Sequence, residues 1–187
     1  MTWELDHLCN SGLLGPDDAR RLDELTSTTD PDRAAELAIV IESGVAPVSG
    51  GLSDAASGVV SALVAALPRM SPATRPAALS LLTQVAGSSL VVSTAAAVET
   101  RRLVETSIPV VAAVIELGTE DETAQVIHLI SVSAAGSPAA AERAASYLAR
   151  IAAGTSGAIR SSAQRELEDV RSLLERGHPH LKTTGES

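Results

Sequence analysis

The sequence contains almost no aromatic residues: it has no Phe, one Trp (Trp3) and one Tyr (Tyr147). Proteins that hold single-stranded nucleic acid usually stack its bases on aromatic side chains, so this scarcity argues against such a platform. Hydrophobic residues nevertheless make up 45% of the chain. The core must therefore be built from Ala, Leu, Val and Ile, and small side chains of this kind suit closely packed helices.

Cysteine and lysine are equally scarce, since each occurs once, as Cys9 and Lys182. A single cysteine excludes an internal disulfide and fits a reducing cytoplasm. The start, MTWELDHLCNSG, lacks the basic residues and the long apolar run of a signal peptide. No apolar run approaches the roughly 20 residues that span a bilayer. We expect a soluble, cytoplasmic protein without a membrane partner, and the Arg and Ala bias is typical of a GC-rich bacterial genome.

Basic residues are also few: the chain has 14 Lys and Arg and 23 Asp and Glu, which gives a net charge of -9. An acidic surface repels phosphate backbones, so we expect no nucleic-acid partner. The same surface would complement a basic protein. The length of 187 residues fits one domain of ordinary size.

Helix start and stop signals are what the chain has in abundance. Pro or Asp–Pro pairs open several apolar stretches of helical period, and Gly closes most of them. No stretch alternates apolar and polar residues as a strand does. The predicted helices lie at about 2–10, 16–25, 30–44, 53–68, 71–87, 90–117, 123–135, 137–154 and 157–176. In the sixth of these we expect Pro109 to kink or split the helix, with Ser107 as a possible new cap.

Two of these stretches are nearly copies of each other. SPATRPAALSLLTQVAG begins at Ser71, and SPAAAERAASYLARIAAG begins at Ser137. In both, Ser is a predicted N-cap, Pro occupies the first helical position and Gly closes the helix. A helical unit used twice indicates stacked helices rather than an enzyme built around one cleft.

The pattern predicts an all-α fold in which short turns join α-α hairpins. We expect one domain over residues 1–177, with N-terminal helices in 1–44, a flexible loop in 45–53 and stacked hairpins in 54–177. Residues 178–187 are expected to form a disordered tail. Hairpins of this kind can build either an α-solenoid or a compact helical bundle, and both remain open at this point.

One spacing resembles a known family. Arg-x-x-Ala-x-x-x-Leu occurs at Arg75, Ala78 and Leu82, and again at Arg160, Ala163 and Leu167. It resembles the second helix of a HEAT-like (armadillo-type) repeat, in which a small and an aliphatic residue face the first helix. The resemblance covers roughly residues 53–176. It implies a solenoid of about eight or nine helices that offers a protein-binding surface, without fixed catalytic residues.

The stretch IPVVAAVIELGTEDETAQVIHLI looks like one whole repeat of this family. It has a first helix containing Pro109, an acidic turn with Asp121, and a second helix. The stretch departs from the family at Gln125, where an Arg is expected. The copy that begins at Ser137 departs as well, because Ala141 stands in the place of Arg75.

The acidic turn is the one candidate binding site. Its members are Glu116, Glu120, Asp121 and Glu122. They lack the ligand spacing and central Gly of a calcium loop. We expect either a solvated turn or a surface that binds a basic partner protein.

No group of residues predicts catalysis, a cofactor or a metal site. Cys9 and His7 are two residues apart and so point to different faces of a helix, while His128 is expected to be half-buried packing. His178 and His180 lack the further ligands that zinc requires.

The doubled arginines at 20–21 and 101–102 are expected to pair with acids that follow them on the same helix. The acids in question are Asp23 and Glu24 for the first pair and Glu105 for the second. These residues therefore predict surface ion pairs and no binding site.

The sequence as a whole favours a non-enzymatic scaffold that binds a basic partner protein through an acidic helical surface, as an antitoxin or immunity protein does. The alternative is a helical domain that holds a small apolar ligand between its helices. The oligomeric state is not predicted.

Overall fold

The computed structural model describes residues 15–47, 51–115 and 118–176. Over these residues the chain contains α-helices, one short 3₁₀ turn and no strand. The helices are α1 (Pro16–Ser27), α2 (Pro31–Val45), α3 (Ala56–Ala66), α4 (Arg75–Leu90), α5 (Ala95–Ile115), α6 (Glu120–Ala134), α7 (Pro138–Gly154) and α8 (Gly157–Arg176). The prediction of an all-α fold is confirmed. The predicted helix at 2–10 and the tail at 178–187 lie outside the described residues.

The first two helices begin where the Asp and Pro signals predict. Pro16 opens α1, where its missing N–H leaves no hydrogen bond unmade. Asp30 caps α2, because its carboxylate accepts hydrogen bonds from the backbone N–H groups of Asp32 and Arg33. The inner side of α2 buries residues that recur at helical spacing: Ala34, Leu37, Ala38 and Ile41.

The helix predicted from Ser71 begins later and ends later than expected. Residues 72–74 form a turn, and α4 begins at Arg75 with Pro76 in its first turn. A helix begun at Pro72 would place Pro76 in its second turn, where the ring removes a helical hydrogen bond. Gly87 does not end α4, which continues to Leu90 and buries Ser89. The interpretation of Gly87 as a C-cap was wrong.

The following link and helix also differ from the prediction. Residues 91–94 connect α4 to α5, and the Thr94 hydroxyl accepts a hydrogen bond from the Ala97 N–H at 3.2 Å. Helix α5 runs without a break through Pro109, which lies on its exposed side. Ser107 does not start a new helix, since its hydroxyl is buried and donates to the Val104 carbonyl at 2.8 Å.

The last hairpin follows the sequence signals closely. The Ser137 hydroxyl accepts a hydrogen bond from the Ala140 N–H at 3.0 Å and caps α7, with Pro138 in the first turn. Helix α8 spans Gly157–Arg176, as predicted. Ala163, Leu167 and Val170 are buried on its inner side.

The helices pack as a stack of four hairpins, α1/α2, α3/α4, α5/α6 and α7/α8. The second helices of the hairpins form one row, in which α4 contacts α2 and α6, and α6 contacts α8. Helices α1, α3 and α5 form a second row, and α7 packs on α6 and α8. A continuous cluster of buried side chains, almost all Ala, Leu, Val and Ile, joins all eight helices.

Candidate functional site

The acidic cluster predicted as a binding surface is divided by the fold. Glu116 lies outside the described residues. Glu120 and Asp121 are exposed in the first turn of α6, where carboxylates are favoured by the helix dipole. Glu122 is completely buried. It is therefore not part of any surface that a partner could contact.

Glu122 belongs to a capping box at the start of α6. Its backbone N–H donates to the Thr119 hydroxyl at 3.3 Å, and its carboxylate accepts from the Thr119 N–H at 2.6 Å. The chain must pass very close to this carboxylate. A Cβ atom on Gly118 would stand 2.9 Å from both the Glu122 Oε2 and the Val114 carbonyl oxygen. The acidic stretch is thus the start of a helix, in which Glu120 and Asp121 are exposed and Glu122 is buried.

The other carboxylate oxygen of Glu122 binds Arg75 of the preceding hairpin. The Arg75 Nη1 donates to Oε1 at 2.9 Å. The same guanidinium donates from Nε to the Leu67 carbonyl at 3.1 Å and from Nη2 to the Met70 carbonyl at 2.9 Å. Every charged atom of the pair therefore has a partner, which a buried ion pair requires. The pair joins the second hairpin to the third and has a structural role.

Arg160 repeats part of this arrangement in the last hairpin. Its Nε donates to the carbonyls of Ala152 and Thr155, at 3.1 and 2.7 Å. These acceptors precede Arg160 by eight and five residues, as Leu67 and Met70 precede Arg75. The two Arg residues of the repeated spacing thus fasten equivalent turns, although Arg160 is exposed and Arg75 is buried.

The remaining predicted candidates do not form a site. His128 is exposed on α6 and not half-buried as expected. Cys9, His7, His178 and His180 lie outside the described residues. Among the residues that are described, no three His, Cys, Asp or Glu side chains lie close enough together to hold a metal ion.

Three of the four doubled arginines form ion pairs with acids that precede them on the same helix. Arg21 pairs with Asp18 at 3.1 Å, and Arg102 pairs with Glu99 at 2.7 Å. Arg101 instead donates to the backbone carbonyls of Ser89 and Val92 at the end of α4.

Glu105, which was expected to pair with the second doubled arginine, contacts the next hairpin instead. It accepts hydrogen bonds from Arg143 at 3.2 Å and from the Ser137 hydroxyl at 3.3 Å. It therefore links α5 to the start of α7. Pairing within one helix was the wrong expectation for Glu105.

The most acidic described surface lies on the first hairpin. Between Pro16 and Val45, acids outnumber arginines: Asp17, Asp18, Asp23, Glu24, Asp30, Asp32, Glu36 and Glu42 stand against Arg20, Arg21 and Arg33. Arg33 bridges the two helices by donating to Glu24 at 2.7 Å and to Glu36 at 3.1 Å. The Arg33 hydrogen bond lowers the pKa of the Glu24 carboxyl below its ordinary value, so this acid stays ionised.

Two large aliphatic side chains are exposed within this acidic hairpin. Ile39 is 63% exposed and Val40 is 47% exposed. They lie on one face of α2 with Asp32, Glu36 and Ser43, because these residues follow one another at helical spacing. We call these five residues the α2 patch. The run LAIVI contains more apolar residues than one helix face can bury, and that signal in the sequence was missed.

Two grooves open between neighbouring helices of a row. The first, of about 410 Å³, lies between α3 and α5 and is mainly apolar, with Val60, Val64, Pro68, Leu103 and Val110 in its wall.

The second groove, of about 470 Å³, lies between α4 and α6. Its polar lining residues include no Asp, Glu, Lys or Arg: they are Ser80, Thr83, Gln84, Gln125 and His128. Neither groove was predicted, because each is made by residues far apart in the sequence.

Helices long and apolar enough to cross a membrane do not occur in the part of the chain that the structure describes. Comparison with protein-family models, with curated proteins and with solved structures finds no match to this chain.

Proposed function

We propose that this protein is a HEAT-like, non-enzymatic scaffold whose first hairpin binds a basic partner protein. Two features support the kinship: the second helices of the hairpins pack in a row, and Arg75 and Arg160 fasten equivalent turns. Neither feature rests on matching Ala residues between the hairpins, which carry little weight in a chain so rich in Ala. A stack of this kind offers long helical surfaces to a partner.

The observation that carries the proposed function is the α2 patch. Ile39 and Val40 form an apolar centre, and the carboxylates of Asp32 and Glu36 lie beside it. Protein interfaces commonly combine a buried apolar centre with a polar rim. The complementary surface is an amphipathic helix whose aliphatic side chains are flanked by Lys or Arg. Neutralisation of a basic protein, as by an antitoxin or immunity protein, is one use of such a patch.

A fluorescein-labelled amphipathic Leu/Lys peptide tests this proposal in an anisotropy titration. We expect it to bind, and to bind less tightly as salt is raised, because screening weakens exposed charge pairs. A Leu/Glu peptide of the same length should not bind. Ile39→Ser with Val40→Ser should weaken binding by about fivefold or more, the usual cost of truncating an interface anchor.

Matched variants separate the α2 patch from nonspecific attraction to an acidic protein. Val91→Ser and Val98→Ser remove aliphatic side chains that are 80% and 55% exposed elsewhere, and should leave binding unchanged. Glu36→Gln should weaken binding more than Glu142→Gln, which removes an exposed acid from α7. Equal effects of the paired variants, or equal binding of the Leu/Glu peptide, would contradict the proposal.

The groove between α3 and α5 supports a second candidate function, the binding of a small apolar ligand. Val60, Val64 and Leu103 line it, and its volume is about 410 Å³. A ligand bound there raises the melting temperature, and the rise grows with the logarithm of its concentration once that exceeds Kd. Fatty acids and terpenoid alcohols are suitable probes. A shift that Val64→Glu abolishes would support this function, and no shift with any of them would count against it.

A further inference from the structure

The carboxylates and the apolar surface of the α2 patch lie in different halves of the helix. Asp32 and Glu36 are in the first two turns of α2, and Ile39 and Ser43 follow them. These residues are three or four positions apart, so they form one exposed stripe along the helix. At a rise of about 1.5 Å per residue, the stripe is about 16 Å long. A partner helix lying along it would meet carboxylates at one end and apolar surface at the other.

The acidic end of the stripe is open to a cation from a partner. The Asp32 carboxylate is exposed and makes no hydrogen bond or ion pair with any other residue that the structure describes. The Glu36 carboxylate pairs with Arg33 at 3.1 Å, but its side chain remains 68% exposed. Exposed pairs of this kind contribute little free energy. A Lys or Arg of a partner can therefore bind Asp32 and compete with Arg33 for Glu36.

The other end of the stripe offers no charge to a partner. The Ser43 hydroxyl donates to the Ile39 carbonyl at 2.9 Å, so its donor is already used. A Cβ atom on Gly44 would meet no atom within 4 Å, so the surface beside Ser43 is open. The one charged residue in this half of α2 is Glu42, which is half-buried and lies four positions after the buried Ala38. Glu42 therefore lies beside the core and away from the stripe.

We propose that the basic partner helix lies antiparallel to α2, with aliphatic residues in its N-terminal turns and Lys or Arg in its C-terminal turns. This inference rests on the proposed function and adds the order and direction of the partner. Cations are favoured at the C-terminus of their own helix, and antiparallel helices bring opposite ends of their dipoles together. A parallel partner would need its cations at its own N-terminus, where the dipole disfavours them. Only the antiparallel arrangement satisfies both the dipoles and the carboxylates of Asp32 and Glu36.

Two blocked peptides that contain the same residues in opposite order test the proposal. The first has Leu in its N-terminal half and Lys in its C-terminal half, and the second has the two halves exchanged. Fluorescein anisotropy measures the binding of each peptide to the full chain. We expect the first peptide to bind more tightly by about threefold or more, because each cation near the C-terminus of a helix gains from its dipole.

The double variant Asp32→Asn/Glu36→Gln shows whether the preference comes from the acidic end of the stripe. It should bind the first peptide less tightly and reduce the difference between the two peptides, because the carboxylates that select the order are gone. Glu42→Gln is the matched control, since it removes an acid from the other half of α2 and should keep the preference. A preference of unchanged size in the double variant would originate in the helicity of the peptides themselves and would contradict the proposal.

A nitroxide label on the first peptide reports its direction on the ¹⁵N-labelled full chain. A label at the C-terminus of the peptide should broaden the amide resonances of Asp32 and Arg33 most. A label at its N-terminus should instead broaden those of Ser43 and Gly44 most, because the broadening falls steeply with distance.

The outcomes separate this inference from the proposed function. Binding of neither peptide would overturn both. Equal binding of the two peptides, or broadening in the reverse order, would overturn the antiparallel arrangement and leave the α2 patch as the site of a basic partner.

Discussion

The buried pair of Arg75 and Glu122 shows how single residues hold this stack together. The guanidinium donates to two carbonyls and one carboxylate oxygen, and the other carboxylate oxygen accepts from Thr119. Replacing such a pair by apolar residues is often tolerated, but removing one partner leaves an uncompensated buried charge. One substitution in this pair should therefore weaken the packing of the second hairpin on the third.

Glu122→Gln should lower the free energy of unfolding by about 3 kcal/mol or more, because Arg75 then remains buried without its counter-charge. Urea titration measures the change. Glu99→Gln is the control, since it breaks the exposed pair with Arg102 and should shift the urea midpoint little. An equally small shift for Glu122→Gln would show that Arg75 finds water or another partner.

Residue types predicted this site only in part. The Arg75 spacing was recognised. The capping-box pattern of Thr119 and Glu122 was readable, but the stretch was interpreted as a solvated turn or a partner-binding surface. That Glu122 is the partner of Arg75 could not be predicted. The two residues are 47 positions apart, and only the packing of α4 on α6 brings them together.

At the scale of elements, the starts of α2 and α7 were predictable, whereas those of α4 and α5 were not. Asp30 and Ser137 cap their helices as expected, because a side-chain acceptor satisfies N–H groups that every helix start leaves free. Gly87 was wrongly predicted to end α4. A Gly inside a helix lowers stability by only about 1 kcal/mol, and the last turn of α4 is held in place by packing that buries Ser89. The grooves and the α2 patch depend on which helix faces pack against each other. Sequence signals within a single helix do not determine that packing.

Two Gly→Ala substitutions, one just before α6 and one inside α4, should have opposite effects. Gly118→Ala places a Cβ 2.9 Å from the Val114 carbonyl and the Glu122 carboxylate, so we expect it to disrupt the start of α6 and lower stability. Gly87→Ala meets no atom within 4 Å and lies inside α4, so it should raise stability by up to about 1 kcal/mol. Thermal unfolding of both variants measures this. A loss of stability in Gly87→Ala would indicate that the last turn of α4 is strained.

At the scale of the whole molecule, packing is mostly between neighbours in the stack. Helices α4 and α6 each contact helices on two sides, whereas α1 contacts α2 and α3 within the described residues. A protein that is held together mainly by contacts between neighbouring elements can unfold in units and not only as a whole. The stability of a helix should therefore depend on its place in the stack.

Hydrogen exchange measured by mass spectrometry should show this gradient. We expect the amides of α4 and α6 to exchange most slowly and those of α1 to exchange faster, because fewer contacts must break to open α1. Glu122→Gln should accelerate exchange in α6 more than in α1. Uniform protection of all helices would mean that the molecule opens only by global unfolding.

Arg75 and Arg160 restrict the length of the turns that precede them. Arg75 and Arg160 each reach back over the same eight residues to the same two carbonyl positions. Inserting or deleting one residue within either turn would shift the guanidinium away from both acceptors. We therefore expect both turns to tolerate a change in length poorly.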